Sequence, residues 1–198
     1  GASSQGDVSE SLVFAASYQT PQVFFLQNNH WAISVPVTRQ SRTPLYLRSS
    51  GFGIPGVQVD GNDVLASYAV TRAGLDDARA GKGPRFIEAL TYRMGAHPTS
   101  DDPTNYRDDA ELDFWTHHYP ISRYELFLRG KGAGDDFFAD VKQEGEDLAA
   151  DTRARTLALE VPASSAMFDH VYSEAPSLME EQAAWLAGYE ASLEGGAA

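Results

Sequence analysis

Gln22-Val23-Phe24-Phe25-Leu26-Gln27-Asn28-Asn29 is a continuously apolar run that closes on amides, the pattern of a short strand buried on both faces. Pro21 sets it off from a preceding helix, which Asp7 or Ser9 is placed to cap and which runs to about Gln19 with Val8, Leu12, Ala15 and Ala16 along one stripe. Ligands of open parallel sheets collect beyond the carboxyl ends of the strands. Asn28, Asn29, His30 and Trp31 stand at that end of the run, so it predicts both an α/β fold and the place of its binding edge.

Residues 36–56 are rich in Pro, Gly, Ser and Arg and read as a long irregular connection. Val57-Gln58-Val59 predicts a second strand and Asp60-Gly61-Asn62-Asp63 a turn, with Asp63 capping a helix to about Ala80 that bears Val64, Tyr68, Leu75 and Ala78. Gly81-Lys82-Gly83-Pro84 ends that helix, and residues 85–92 predict a third strand. The order helix, strand, strand, helix, strand is that of a mostly parallel sheet flanked by helices. Residues 93–107 then form a polar loop at a strand's carboxyl end, where chemistry is usually placed. Helical patterns follow over residues 110–115, 121–129 and, acidic and amphipathic, 135–159. The expected organisation is one domain over residues 1–198 with a helical extension from about residue 135. Its tail holds Phe168, Val171, Tyr172, Leu178, Met179, Trp185, Leu186 and Tyr189, which read equally as packing on the chain's own core or as a subunit contact.

Composition narrows the function. A net charge of -13, from 28 acidic against 15 basic residues, leaves no excess of cations to displace counterions from a phosphate backbone and excludes nucleic acid as a partner. Without cysteine, neither disulfides nor thiolate metal sites can form, and a reducing cytoplasm is the expected location. No apolar run approaches the roughly 20 residues a membrane helix needs, so no membrane role is expected. The opening Gly1-Ala2-Ser3-Ser4-Gln5-Gly6-Asp7, without an initiator Met, resembles the middle of a glycine-rich loop and reads as a chain whose N-terminal part is missing.

Magnesium takes oxygen ligands in octahedral geometry and commonly bridges to phosphates. An Asn amide at a strand end, facing a glycine-rich helix start, is half of such a site. Here Gly1, Ala2 and the first helix would offer backbone N–H groups to a diphosphate, while Asn29 and the carbonyl of Trp31 would face the metal. Taken alone, an Asn-Asn pair at a strand end is most often turn chemistry.

The spacing of Gly1-Ala-Ser-Ser-Gln-Gly-Asp7 and Gln27-Asn28-Asn29-His30-Trp31-Ala32-Ile33-Ser34 resembles the thiamin diphosphate motif of the alpha subunits of 2-oxo acid dehydrogenases, Gly-Asp-Gly followed by Asn-Asn. Gly1 matches the motif's last glycine, and the family's acidic metal ligand would lie one residue before it. Two further segments carry the likeness: Gly53-Ile54-Pro55-Gly56-Val57-Gln58-Val59-Asp60-Gly61-Asn62-Asp63, and Tyr92-Arg93-Met94-Gly95-Ala96-His97 running on to Asp101-Asp102 and Tyr106-Arg107. It continues through Pro120-Ile121-Ser122-Arg123 and thins in the tail.

The resemblance implies a thiamin-diphosphate-binding fold, with thiamin diphosphate and Mg2+ as cofactors. Asn29 and the Trp31 backbone would bind the metal, and Gly1, Ala2 and Arg93 would touch the diphosphate. His97 would stand in the active-site channel as the catalytic residue, hydrogen-bonding the substrate or cofactor adduct and assisting acyl transfer. The implied partners are a beta subunit, in an assembly of two alpha and two beta chains, and the lipoyl-bearing dihydrolipoyl acyltransferase; an isolated alpha chain should be inactive. The wording Ala96-His97-Pro98-Thr99-Ser100-Asp101-Asp102-Pro103 is closer to branched-chain 2-oxo acid enzymes than to pyruvate ones. A pyruvate or acetoin enzyme is the alternative within the family. A non-catalytic scaffold subunit keeping only the beta contact, and a phosphate-binding module unrelated to thiamin, are the alternatives outside it. In several members of the family it resembles, kinases phosphorylate serines of this loop, commonly the residue after the histidine; Pro98 stands there, so no kinase control is expected at that position, with Thr99 and Ser100 the hydroxyls that remain. The loop, rich in Gly, Pro and Asp, is expected to be ordered by the cofactor.

Overall fold

The computed structural model of the chain describes residues 1–195. In order, the elements are α1 (Gly6–Tyr18), β1 (Val23–Asn28), β2 (Trp31–Ala32), β3 (Val35–Pro36), α2 (Val37–Gln40), β4 (Gly56–Asp60), α3 (Val64–Arg79), β5 (Arg85–Leu90), α4 (Asp109–His117), α5 (Pro120–Gly130), α6 (Asp135–Leu157) and α7 (Ser177–Gly195). Short 3-10 segments lie at Ala2–Ser4, Leu45–Phe52, Pro103–Asn105 and Ser164–Phe168. The chain divides into two compact units, Gly1–Gly134 and the segment from Asp135 onward.

In the first unit β1, β5 and β4 lie side by side in that order, each pairing parallel. The sheet carries a packed layer on each face. On one, Phe86 packs with Leu12 and Ala15 of α1 and with Ile54. On the other, Ile87 and Ala89 join Val59 of β4 against Ala66 and Val70 of α3. Each fully buried side chain of this kind is worth roughly 1.5–3 kcal/mol. This is the α/β class that the order of elements predicts.

The strand buried on both faces is central β5, whose residues Phe86 to Ala89 are at most 4% exposed. β1 does not meet that expectation. It is an edge strand of the sheet; Phe24 and Leu26 pack toward α1, whereas Phe25 is 51% exposed and Gln27 is exposed. Side chains alternate along a strand, so an unbroken apolar run can bury one face and leave the other open.

Three local expectations also change. α1 begins at Gly6 on Gln5, which caps it without a side-chain bond, so neither Asp7 nor Ser9 is the cap. Asp7 lies in the first turn instead, and its Oδ1 accepts from Val8 N at 3.1 Å, a favourable place for a negative charge. Asp63 does cap α3, accepting from Ala66 N at 2.9 Å. However, α3 meets the sheet through Ala66, Val70, Gly74 and Ala78, while Val64, Tyr68 and Leu75 are 36–61% exposed. The small residues let the helix lie close: a Cβ on Gly74 would stand 3.3 Å from Val23 Cγ2. Finally, the connection over residues 36–56 is regular in part. It contains α2 and the Leu45–Phe52 segment, with Leu45 and Ser49 buried.

The glycines that bracket β4 have steric reasons. A Cβ on Gly56 would meet Tyr46 O at 2.6 Å, and one on Gly61 would meet Leu90 O at 2.7 Å. The Gly61 amide donates to that same carbonyl at 2.7 Å, which pins the end of β4 to the end of β5.

In the second unit, none of the described side chains of α6 is buried. Trp185 and Tyr189 of α7 stack on each other, ring centroids 5.5 Å apart, yet are 68% and 50% exposed. Ser164 Oγ donates to Glu190 Oε2 at 2.7 Å, tying the short Ser164–Phe168 turn to α7. Among the described residues, no helix is long and apolar enough to cross a membrane.

Candidate functional site

The carboxyl end of β1 is a turn built from its own amides. Asn28 is buried; its Oδ1 accepts from His30 N at 3.1 Å and its Nδ2 donates to Glu88 Oε1 at 2.7 Å. Asn29 repeats the pattern one residue on, Oδ1 accepting from Trp31 N at 3.1 Å. These two side-chain bonds hold His30 at φ 69°, a left-handed conformation unusual for a residue with a Cβ. His30 Nδ1 donates to Thr91 O at 2.6 Å, and its ring lies against Tyr92 and Trp115. A β2–β3 hairpin follows directly. The turn is thus fixed by hydrogen bonds that involve Asn28, Asn29, His30 and Trp31.

The polar loop that leaves β5 is knitted around Asp101. Asp101 Oδ2 accepts from His97 N at 2.8 Å and from the Tyr106 hydroxyl at 2.6 Å. The His97 backbone N–H, with the Tyr106 hydroxyl second, holds the Asp101 carboxyl below the usual carboxylate range. Burial, reinforced by Asp101, raises the Tyr106 hydroxyl. Asp102 is likewise held low by Thr104, whose hydroxyl and backbone N–H donate to it at 2.7 and 3.1 Å. Arg93 Nη2 donates to the Tyr106 hydroxyl and to Ile33 O, both at 2.7 Å, and lies 3.9 Å from Asp101 Oδ2. Its other terminal nitrogen, Nη1, is buried and has no hydrogen-bond partner among the described residues. A buried, unpaired guanidinium N–H is costly unless something accepts from it.

Between the β1 turn, the first residues and this loop lies a cleft of about 660 Å3. Gly1, Ala2, Asn29, Trp31 and His97 all line it, so five of the six residues expected at the site converge there. Arg93 is not among the lining residues; it stands beside the cleft, bonded to the carbonyl of Ile33, which is one of them. His97 is exposed, its backbone fixed by Asp101. Amide and carbonyl oxygens are the kind of donor Mg2+ shares with phosphate oxygens, and the orphaned Arg93 nitrogen suits an anion nearby. The fit is to half of a metal site, since among the described residues no carboxylate lines the cleft. Among the described residues there is no cluster of three or more His, Asp or Glu that could hold a metal alone.

Residues 60–63 and Arg123, two separate segments of the family-like text, also meet. Arg123 Nη1 donates to Asp60 Oδ2 at 2.8 Å and to Asn62 O at 3.1 Å, and Nη2 lies 3.6 Å from Asp63. Asn62, itself buried, accepts from Thr91 Oγ1 at 2.6 Å. Sequence reasoning passed over Glu88, Asp101 and Tyr106 as site-building residues. For Glu88 the signal was present: one acid inside the apolar run of a central strand.

Residues 1–144 match the family described as "Dehydrogenase E1 component". The chain is 54% identical over 133 residues to the "3-methyl-2-oxobutanoate dehydrogenase subunit alpha" of Mycobacterium tuberculosis (strain CDC 1551 / Oshkosh), covering 67% of this chain and 36% of that protein. It is 42% identical over 188 residues to the "Pyruvate dehydrogenase E1 component subunit alpha" of Acholeplasma laidlawii, covering 92% of this chain and 54% of that protein. The protein of that same name from Staphylococcus aureus (strain Mu50 / ATCC 700699) is 46% identical over 134 residues, 67% of this chain and 36% of its own length. The chain thus spans between about a third and about half of the relatives it matches. By the family match and these relatives, the chain belongs to the dehydrogenase E1 component family, among the alpha subunits of 2-oxo acid dehydrogenases.

Proposed function

We propose that this chain serves in the alpha subunit of a thiamin-diphosphate-dependent enzyme that oxidatively decarboxylates a branched-chain 2-oxo acid and passes the acyl group to the lipoyl arm of a dihydrolipoyl acyltransferase. The observation that carries the reading is the convergence of Gly1, Ala2, Asn29, Trp31 and His97 on one cleft. Thiamin diphosphate, when bound, supplies the electron sink for loss of carbon dioxide. The chain's own residues bind, orient and shield. Asn29 Oδ1 and the Trp31 carbonyl would hold Mg2+, and backbone N–H groups of Gly1 and Ala2 would receive the diphosphate. Arg93 would offer its unpaired Nη1 to the same anion. His97, exposed at the cleft, would hydrogen-bond the reacting acid and move a proton at its imidazole. A beta subunit, in an assembly of two alpha and two beta chains, would complete the site.

Branched-chain preference is supported by the 54% identity to the 3-methyl-2-oxobutanoate enzyme, against 42% and 46% for the pyruvate enzymes. One observation favours pyruvate as a second reading: the match that runs across 92% of the chain is to a pyruvate dehydrogenase alpha subunit. The test is dye reduction by the full-length alpha subunit copurified with its beta partner, driven by 3-methyl-2-oxobutanoate or by pyruvate, with and without thiamin diphosphate and Mg2+. Cofactor-dependent turnover that prefers the branched acid is expected. Preference for pyruvate would select the second reading, and no turnover with either acid would overturn both.

A further inference from the structure

Glu88 is 1% exposed, a charged residue in the middle of the central strand. Its side chain lies on the α1 side of the sheet, in the row of Phe86. Three neutral donors from three other segments converge on it. Asn28 Nδ2 of β1 donates to Oε1 at 2.7 Å; Tyr46 N, in the Leu45–Phe52 segment, and Gln58 Nε2 of β4 donate to Oε2 at 2.9 and 3.1 Å. A buried carboxylate is costly, and hydrogen bonds from several donors are what offset the cost. Sheet packing alone would be served better by an apolar residue at this position.

What the carboxylate does locally is fix one amide. Because Oε1 can only accept from Asn28 Nδ2, the Asn28 carbonyl oxygen is forced to face the other way, where it accepts from His30 N. That bond and its neighbour from Trp31 N to Asn29 hold His30 in its left-handed conformation and set the turn carrying Asn29 and Trp31. We propose that Glu88 is a positioning residue for the metal and diphosphate end of the site: through Asn28 it sets the turn that aims Asn29 Oδ1 and the Trp31 carbonyl into the cleft. This rests on the functional reading above, and it assigns to one buried carboxylate the orientation of both neutral oxygen donors.

The chemistry of the bonds supplies a specific test. In Glu88→Gln, an amide N–H facing Asn28 would force that side chain to turn over and set its NH2 against His30 N, donor against donor. Turned the other way, the new amide would oppose Tyr46 N, which cannot turn. Adding Asn28→Asp reverses the pair. The new amide then donates to the new carboxylate, whose second oxygen accepts from His30 N, and the amide oxygen accepts from Tyr46 N and Gln58.

The full-length alpha subunit copurified with its beta partner is titrated with thiamin diphosphate at fixed Mg2+, and binding is read by quenching of tryptophan fluorescence. Saturable Mg2+-dependent binding by the unsubstituted protein is required by the functional reading; without it, that reading fails. Given such binding, Glu88→Gln is expected to weaken it roughly ten- to a hundredfold, and Asn28→Asp with Glu88→Gln to regain most of the loss. A residue that merely fills the core would show no such rescue. Unchanged binding in Glu88→Gln overturns the proposal, as does a double variant that fails to recover binding, whether or not the single variant assembles.

Discussion

The segment up to Gly134 and the segment from Asp135 onward differ in what holds them. Every buried side chain named here, from Leu12 to Tyr92, lies in the first, where three strands and their covering helices bring distant residues together. The second is built from α6, a short turn and α7; among its described residues none is fully buried, Phe168, Met179 and Leu186 are half-buried, and Leu148, Leu157 and Val161 are 66%, 73% and 95% exposed. Strands occur in the first segment and, among the described residues, only helices and a short turn in the second. The difference lies in long-range partners, and the cleft exists only where those partners meet.

Substitutions should therefore fall unequally on the two regions. Ile87→Ala, in the fully buried row of β5, is expected to cost about 3 kcal/mol in chemical denaturation; a loss below about 1 kcal/mol would mean the sheet is not the stability centre. His97→Ala is expected to lower turnover of the assembled enzyme roughly a hundredfold while leaving the loop in place, because the loop is tied through the His97 backbone N–H and the side chain is exposed. Asp63→Ala, which removes the α3 cap, is expected to cost about 1 kcal/mol.

A subtler effect should appear with pH in the loop around Asp101. Its carboxyl, and that of Asp102, are held below their ordinary value by hydrogen bonds within the loop. A lowered folded value means the contribution is complete above the unfolded carboxylate value of about 3.9 and is lost as pH falls through the folded value. Limited proteolysis with an acid-active protease should show the loop protected at the upper end of that range and cleaved faster below it. Equal rates throughout would remove Asp101 as the loop's organiser. Smallest of all, Leu157→Ala in α6 should change stability by no more than about 0.5 kcal/mol, since that side chain is 73% exposed. A larger loss would show that the second region has a core of its own.

Much of this was legible in the sequence, because its signals are local. Caps and turns such as Asp63 and Gly61, and the strand at residues 85–92, follow from residue chemistry within a few positions. So does the clustering of Asn29 and Trp31 at a strand end. What was not legible depends on neighbours far along the chain. The apolar run at β1 could not report that its second face is open. The bulky stripe of α3 pointed away from the sheet because Gly74 and Ala78 allow closer packing. Glu88 stands out as one acid in an apolar run, but its role depends on Asn28, Tyr46 and Gln58, 60, 42 and 30 residues away, which converge on it.

If the cleft at the end of β1 holds the cofactor, loss of the Asn29 side chain should be felt first by the metal. Thiamin diphosphate binding to the full-length alpha–beta assembly, followed by tryptophan quenching across a Mg2+ titration, should be saturable and Mg2+-dependent. In Asn29→Ala, which removes both the side-chain oxygen and its bond from Trp31 N, the Mg2+ dependence should be lost while the alpha–beta assembly still forms. Identical Mg2+-dependent binding in both proteins would place the metal away from this cleft.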